Sequence, residues 1–135
     1  MIKCIAGLKG SGKTKQLVAM VNAAVNEDSG SVICIEKDPK LTYDVNSNCR
    51  LIHTSEYDIS SYPEFFGFIC GLYAQNYDIT SIFVDGLYKI AGNDEESANE
   101  FIVKLEKFSE QTGIKFVMTV SVEVENAPEQ VKKYL

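Results

Sequence analysis

Residues 7–14 read Gly-Leu-Lys-Gly-Ser-Gly-Lys-Thr, placing a lysine and a hydroxyl directly behind three closely spaced glycines. This is a complete G-x-x-x-x-G-K-[ST] (Walker A) motif, and its chemistry is the holding of phosphate. Gly7, Gly10 and Gly12 let the backbone turn tightly, so that successive N–H groups face one anion. Lys13 is spaced to reach β- and γ-phosphates, and the Thr14 hydroxyl to ligate Mg²⁺. Lys9, Ser11 and Lys15 complete the stretch expected to contact the nucleotide. At average residue usage the four constrained positions arise by chance roughly once in a couple of hundred chains of this length.

A metal at Thr14 calls for a carboxylate opposite it. Residues 80–84, Thr-Ser-Ile-Phe-Val, form an apolar run that ends on Asp85-Gly86, the form of a Walker B segment; Asp85 is thus the expected second Mg²⁺ ligand. Residues 31–36, Ser-Val-Ile-Cys-Ile-Glu, end on a carboxylate in the same way. Glu36 is thus a carboxylate at the carboxyl end of a strand, the edge where open α/β sheets place their ligands. Thr119 and Ser121, near the end of a later apolar run, are candidates to sense a γ-phosphate.

These residues need a scaffold that delivers them to one place. Residues 2–6 are a short apolar strand entering the glycine loop. A helical pattern leaves the loop at Lys13, with Leu17, Val18, Val21, Ala24 and Val25 on one face and a stop at Asn26-Glu27-Asp28-Ser29-Gly30. The nearly continuous apolar run at 31–36 predicts a strand covered on both faces. Residues 37–48, rich in Asp, Asn and Pro, predict a loop or short hairpin, and 50–54 a brief strand. Ser60, Ser61 and Pro63 announce a helix whose apolar residues run most of the way round. Its Gly67 and Gly71 are expected to allow tight packing on the sheet. Gly92-Asn93-Asp94 open a further helix, with Glu95 and Glu96 in its first turn and Gly113 as its stop. Residues 115–122 give the last strand, followed by a loop and a short amphipathic tail carrying Lys132 and Lys133.

This order predicts one α/β domain spanning residues 1–135: a mostly parallel five-stranded sheet with helices on both faces. Each candidate site residue then falls at a strand's carboxyl end, where open α/β sheets bind ligands.

Composition narrows the partners. A net charge of −6 argues against broad nucleic-acid binding. No apolar run approaches membrane-spanning length and no signal peptide precedes the loop, so a cytoplasmic location without membrane partners is expected. Cys4, Cys34, Cys49 and Cys70 contain no C-x-x-C pair and His53 is the only histidine, which favours core packing of the thiols over zinc. Arg50 is the only arginine among the thirteen basic residues.

The arrangement resembles the minimal core of RecA-like P-loop ATPases, in which a strand-end glutamate precedes the Walker B strand. The resemblance implies a three-layer P-loop NTPase fold, ATP and Mg²⁺ as ligands, and Glu36 as the catalytic residue that orients a water, with Glu56 as the alternative. Nearly the whole chain is also similar to a family of small Firmicutes P-loop proteins that often carry the label of twitching-motility ATPases. The shared stretches include the GxKGSGKTK loop, Ile-Glu-Lys at 35–37, Lys-Leu-Thr-Tyr-Asp at 40–44, Ala-Gln-Asn-Tyr-Asp-Ile-Thr at 74–80, Ile-Phe-Val-Asp at 82–85, Thr-Val-Ser at 119–121 and the terminal Val-Lys-Lys-Tyr-Leu. The arginine- and histidine-bearing boxes of motility ATPases have no counterpart here.

Three functions follow as expectations. The first is a Mg²⁺-dependent ATP-binding protein that hydrolyses ATP slowly. The second is a nucleotide-gated interaction module without significant turnover. The third is a small-molecule kinase, disfavoured by the scarcity of arginine and the lack of a long lid. The arginine deficit also points to a homo-oligomer or protein partner as donor of a cation in trans, with Lys132 and Lys133 as candidate donors.

Overall fold

Five apolar runs enter one sheet, and every neighbouring pair of strands is parallel. A computed structural model describes residues 1–135. The strands are β1 (Ile2–Gly7), β2 (Ser31–Glu36), β3 (Arg50–His53), β4 (Ile79–Val84) and β5 (Lys115–Ser121), in the spatial order β1-β5-β4-β2-β3. The helices are α1 (Lys13–Glu27), α2 (Tyr62–Gln75), α3 (Leu87–Ala91), α4 (Glu95–Thr112) and α5 (Glu129–Lys133). The expected α/β class and five-stranded sheet are therefore present, and the one antiparallel contact is an isolated bridge between Gly7 and Val122. No helix is long and apolar enough to cross a membrane.

Alternation along the strands divides the core in two. Ile33, Ile35, Ile82, Val84, Phe116, Met118 and Val120 face α2, α3, α4 and α5. Val32, Cys34, Phe83 and Val117 face the other way, where Leu17 and Val21 of α1 cover them together with Leu41, Val45 and Cys49. Both faces are covered, as the continuous apolar strands require, but by four helices on one side and by a single helix and a loop on the other.

That loop, residues 37–49, forms no hairpin. Because β2 and β3 are parallel, it must carry the chain back across the sheet, and it does so as a chain of turns held from outside. The Asn46 amide donates to Asn22 Oδ1 at 2.8 Å, and Asn22 Nδ2 donates to the Asp44 carbonyl at 3.1 Å.

One further expectation is corrected. A Cβ added at Gly67 or Gly71 would meet nothing within 4 Å; both lie on the exposed side of α2, and the sheet is packed instead by Phe65 and Ile69. The short helix α3, directly after Asp85-Gly86, was not anticipated. Its Leu87, Ile90 and Ala91 are buried at helical spacing. The thiols behave as expected of small hydrophobes: Cys4, Cys34 and Cys49 are buried and Cys70 is half-buried. Burial pushes the Cys4 thiol up to about 12 and Cys49 to about 11.

Candidate phosphate and metal site at the carboxyl edge of the sheet

The glycine loop turns where glycine is required: Gly10 and Gly12 have φ of 86° and 88°, a region costly for side-chain-bearing residues. The Ser11 amide closes the turn on the Leu8 carbonyl at 3.1 Å. Helix α1 begins at Lys13 with Gly12 as its N-cap, no side chain capping its amides and no acidic residue in its first turn.

The other long helices are finished differently. Ser61 caps α2 through the Glu64 amide, and Asp94 caps α4 through the Ser97 amide; both have acids in the first turn. The amides opening α1 are thus left without the side-chain acceptor that α2 and α4 carry, which suits an external anion. Lys13 folds back over the loop, its Nζ donating to the Leu8 carbonyl at 3.3 Å. Lys9, Ser11, Thr14 and Lys15 are exposed around it.

Helix α1 packs across β1, β5, β4 and β2, and this carries Thr14 over β5 to Asp85. The Thr14 hydroxyl lies 3.1 and 3.2 Å from Asp85 Oδ1 and Oδ2. Asp85 is anchored from a third side: the Thr119 hydroxyl donates to Oδ1 at 2.9 Å and accepts the Gly86 amide at 2.8 Å. Thr119 is buried and spends its hydroxyl on that bridge. It therefore positions Asp85 rather than facing a phosphate, while Ser121 is exposed two residues further on.

One carboxylate beside one hydroxyl is the donor set of a hard cation that takes its other ligands from water and phosphate. No group of three or more His, Cys, Asp or Glu side chains converges here or elsewhere to hold a metal by itself. The residues present fit Mg²⁺ in company with a phosphate chain rather than a metal enclosed by protein alone.

Glu36 ends β2 beside β4 and is 3% exposed. Its carboxylate accepts the Lys40 amide (3.2 Å to each oxygen) and the Leu41 amide (3.1 Å to Oε2). His53 Nε2 stands 3.2 Å from Oε2, off the line of a hydrogen bond and otherwise unpartnered. Most of the acceptor capacity of Glu36 thus goes to bracing the start of the 37–49 loop. It nevertheless lines one narrow cleft with Asp85, Lys37, Asp38, Lys40 and Lys89, of about 20 Å³, room for one water molecule. Glu56 does not line that cleft; it is exposed and lies on the far side of the His53 ring from Glu36, 3.6 Å from Nδ1.

The other predicted cations stand apart. Arg50 pairs in register with Ile33, at the start of the outermost strand β3, far from the carboxyl edge near β1. Lys133 pairs with Glu106 at 3.5 Å and lies over the Tyr134 ring.

The sheet edge thus gathers the glycine loop, Lys13, Thr14, Asp85 and Glu36, as expected. Lys40, Lys89 and the bridging role of Thr119 escaped the sequence, because each depends on contacts across strands or on a loop path that no local pattern encodes. No protein-family model matches the chain, and no curated protein matches it.

Proposed function

We propose that this chain is a Mg²⁺-dependent ATP-binding protein with a RecA-like P-loop core, acting in the cytoplasm as a slow ATPase. The observation that carries this reading is the contact between Thr14 and Asp85, 71 residues apart. It joins the hydroxyl behind the motif lysine to the one strand-end aspartate with the Walker B pattern. The loop amides and Lys13 would hold the phosphates, with Lys9, Ser11 and Lys15 alongside, and Thr14 and Asp85 would hold Mg²⁺. When bound, the ion supplies charge neutralisation on the phosphate oxygens. Glu36 and Asp85 border a cleft of one-water size, which supports Glu36 as the group that orients a water.

The engagement of Glu36 by the Lys40 and Leu41 amides favours a second reading, a nucleotide-gated interaction module with little turnover. In that case its carboxylate serves the loop, and the loop reports the state of the site to a partner protein or a second copy of the chain.

Phosphate release separates the two readings. Wild type, Lys13→Ala and Glu36→Gln are compared over a range of protein concentrations. Slow release that vanishes in Glu36→Gln while ATP binding persists supports the ATPase. Tight binding without release at any concentration supports the module. Absence of ATP binding by the wild type contradicts both.

A further inference from the structure

Phosphoryl chemistry requires positive charge around the γ-phosphate, usually from arginine, and Arg50 lies too far away to provide it. We propose that Lys40 and Lys89 provide that charge within the same chain, contacting the terminal phosphate of the bound nucleotide and selecting triphosphate over diphosphate. The proposal rests on the nucleotide reading above.

Three features place the two lysines there. Lys40 opens the loop after β2, and its backbone is fixed by the donation of its amide to both oxygens of Glu36. Lys89 lies in the first turn of α3, four residues beyond Asp85. Its stem packs over Gly86, so that a Cβ at Gly86 would come within 3.3 Å of Lys89 Cδ; Gly86, at φ 81°, leaves that path open. Both lysines line the cleft that also borders Glu36 and Asp85.

The charge pattern calls for an anion. Ion pairs within 4.0 Å are confined to His53 with Glu36, His53 with Glu56, and Lys133 with Glu106, so Lys9, Lys13, Lys40 and Lys89 have no carboxylate partner at that range. Lys37, Lys40 and Lys89 share their cleft with Glu36, Asp38 and Asp85, but with no lysine–carboxylate pair closed there the facing ammonium groups of Lys40 and Lys89 keep a local repulsion that a polyphosphate would relieve. The repulsion is felt at Lys89. The Lys40 ammonium first, then partial burial, pull its pKa below the ordinary lysine value, against the opposing pull of Asp85, and Lys9 adds to the lowering. Glu36 then has a positioning role besides any part in handling water: it sets the backbone that carries Lys40.

The test titrates Mg²⁺-ATP and Mg²⁺-ADP calorimetrically into wild type, Lys13→Ala, Lys40→Met, Lys89→Met and Lys89→Arg, each checked for folding by thermal melting. Each methionine variant should lose about tenfold in ATP affinity, the share of one charge-assisted contact, with ADP affinity little changed. Lys89→Arg should retain the preference for ATP. A second readout needs no variant: in ¹³C-labelled wild type, the Lys89 Cε resonance should titrate at higher pH once Mg²⁺-ATP is bound. An unchanged ATP-to-ADP ratio in both methionine variants, or an unmoved Lys89 titration, overturns the proposal while leaving the nucleotide reading intact, provided Lys13→Ala abolishes binding. A wild type that binds neither nucleotide overturns both.

Discussion

Thr119 joins Asp85 to the turn that follows it, and the site depends on that hydroxyl more than its place in an apolar strand suggests. In Thr119→Val the Gly86 amide loses its acceptor and Asp85 its neighbour from β5. A loss of about 1–3 kcal/mol in unfolding free energy is expected from the orphaned amide. Under the proposed function, Mg²⁺-dependent ATP affinity should also fall about tenfold or more, the usual effect of removing a group that orients a metal ligand. Denaturant unfolding and ATP titration with and without Mg²⁺ check the two effects separately. Gly86→Ala should destabilise by about 1 kcal/mol through its left-handed φ, and should disturb Lys89 as well. At this scale the sequence exposed what a local motif encodes: Lys13 and Thr14 follow from glycine spacing, and Asp85 from an apolar run ending in an acid. The sequence marks Thr119 as a polar residue near a strand end, a candidate to sense a γ-phosphate, but its partner Asp85 lies 34 residues away at the end of the neighbouring strand. Its role could not be read without the order β5-β4.

Among the elements, α1 carries the site and is tied down at its far end by Asp28. Hydroxyls of Thr80 and Ser81 each donate to Asp28 Oδ2 at 2.7 Å, linking the end of α1 to β4. Burial pulls the Asp28 carboxyl up, but the hydrogen bonds from Ser81 and Thr80 and the charge of Lys115 outweigh it and hold the pKa below the ordinary aspartate value. A depressed folded-state value contributes stability above the unfolded pKa and loses it as pH falls through the folded one. Asp28→Asn should therefore cost about 1 kcal/mol at neutral pH, and the gap to wild type should close as pH drops below about 4. Unfolding curves across pH measure it; a gap independent of pH contradicts the assignment. Close by, Gly30→Ala should destabilise by about 2 kcal/mol or more, because its Cβ would collide with the Asp78 carbonyl. The strands and long helices were legible because apolar runs, caps and glycine stops are local signals. The 37–49 loop was not: Leu41, Val45 and Cys49 are buried against α1, and Asn22 holds its turns from 24 residues earlier. Helix α3, only five residues long, was hidden between two stronger signals.

Over the whole molecule, crossover rules predicted parallel pairing, whereas the spatial order β1-β5-β4-β2-β3 needed the structure. That order leaves β1 at one edge, where the Cys4 amide donates to the Tyr134 carbonyl at 2.8 Å and the C-terminal tail covers part of the strand. The other edge is the four-residue β3, which carries Arg50 and is short enough to offer little template for pairing. The overall charge is negative, yet lysines without carboxylate partners gather at the carboxyl edge. ATP binding should therefore weaken as ionic strength rises, because exposed charges are screened over about 10 Å at 0.1 M salt. Under the proposed function, this edge binds a Mg²⁺-nucleoside triphosphate through the glycine loop and the Thr14–Asp85 pair. The most direct test is calorimetric titration of ATP, with and without Mg²⁺, into wild type and Lys13→Ala. Saturable binding by the wild type that strengthens with Mg²⁺ and disappears in a folded Lys13→Ala is the predicted result; no binding by the folded wild type, or binding indifferent to both Mg²⁺ and Lys13, would contradict it.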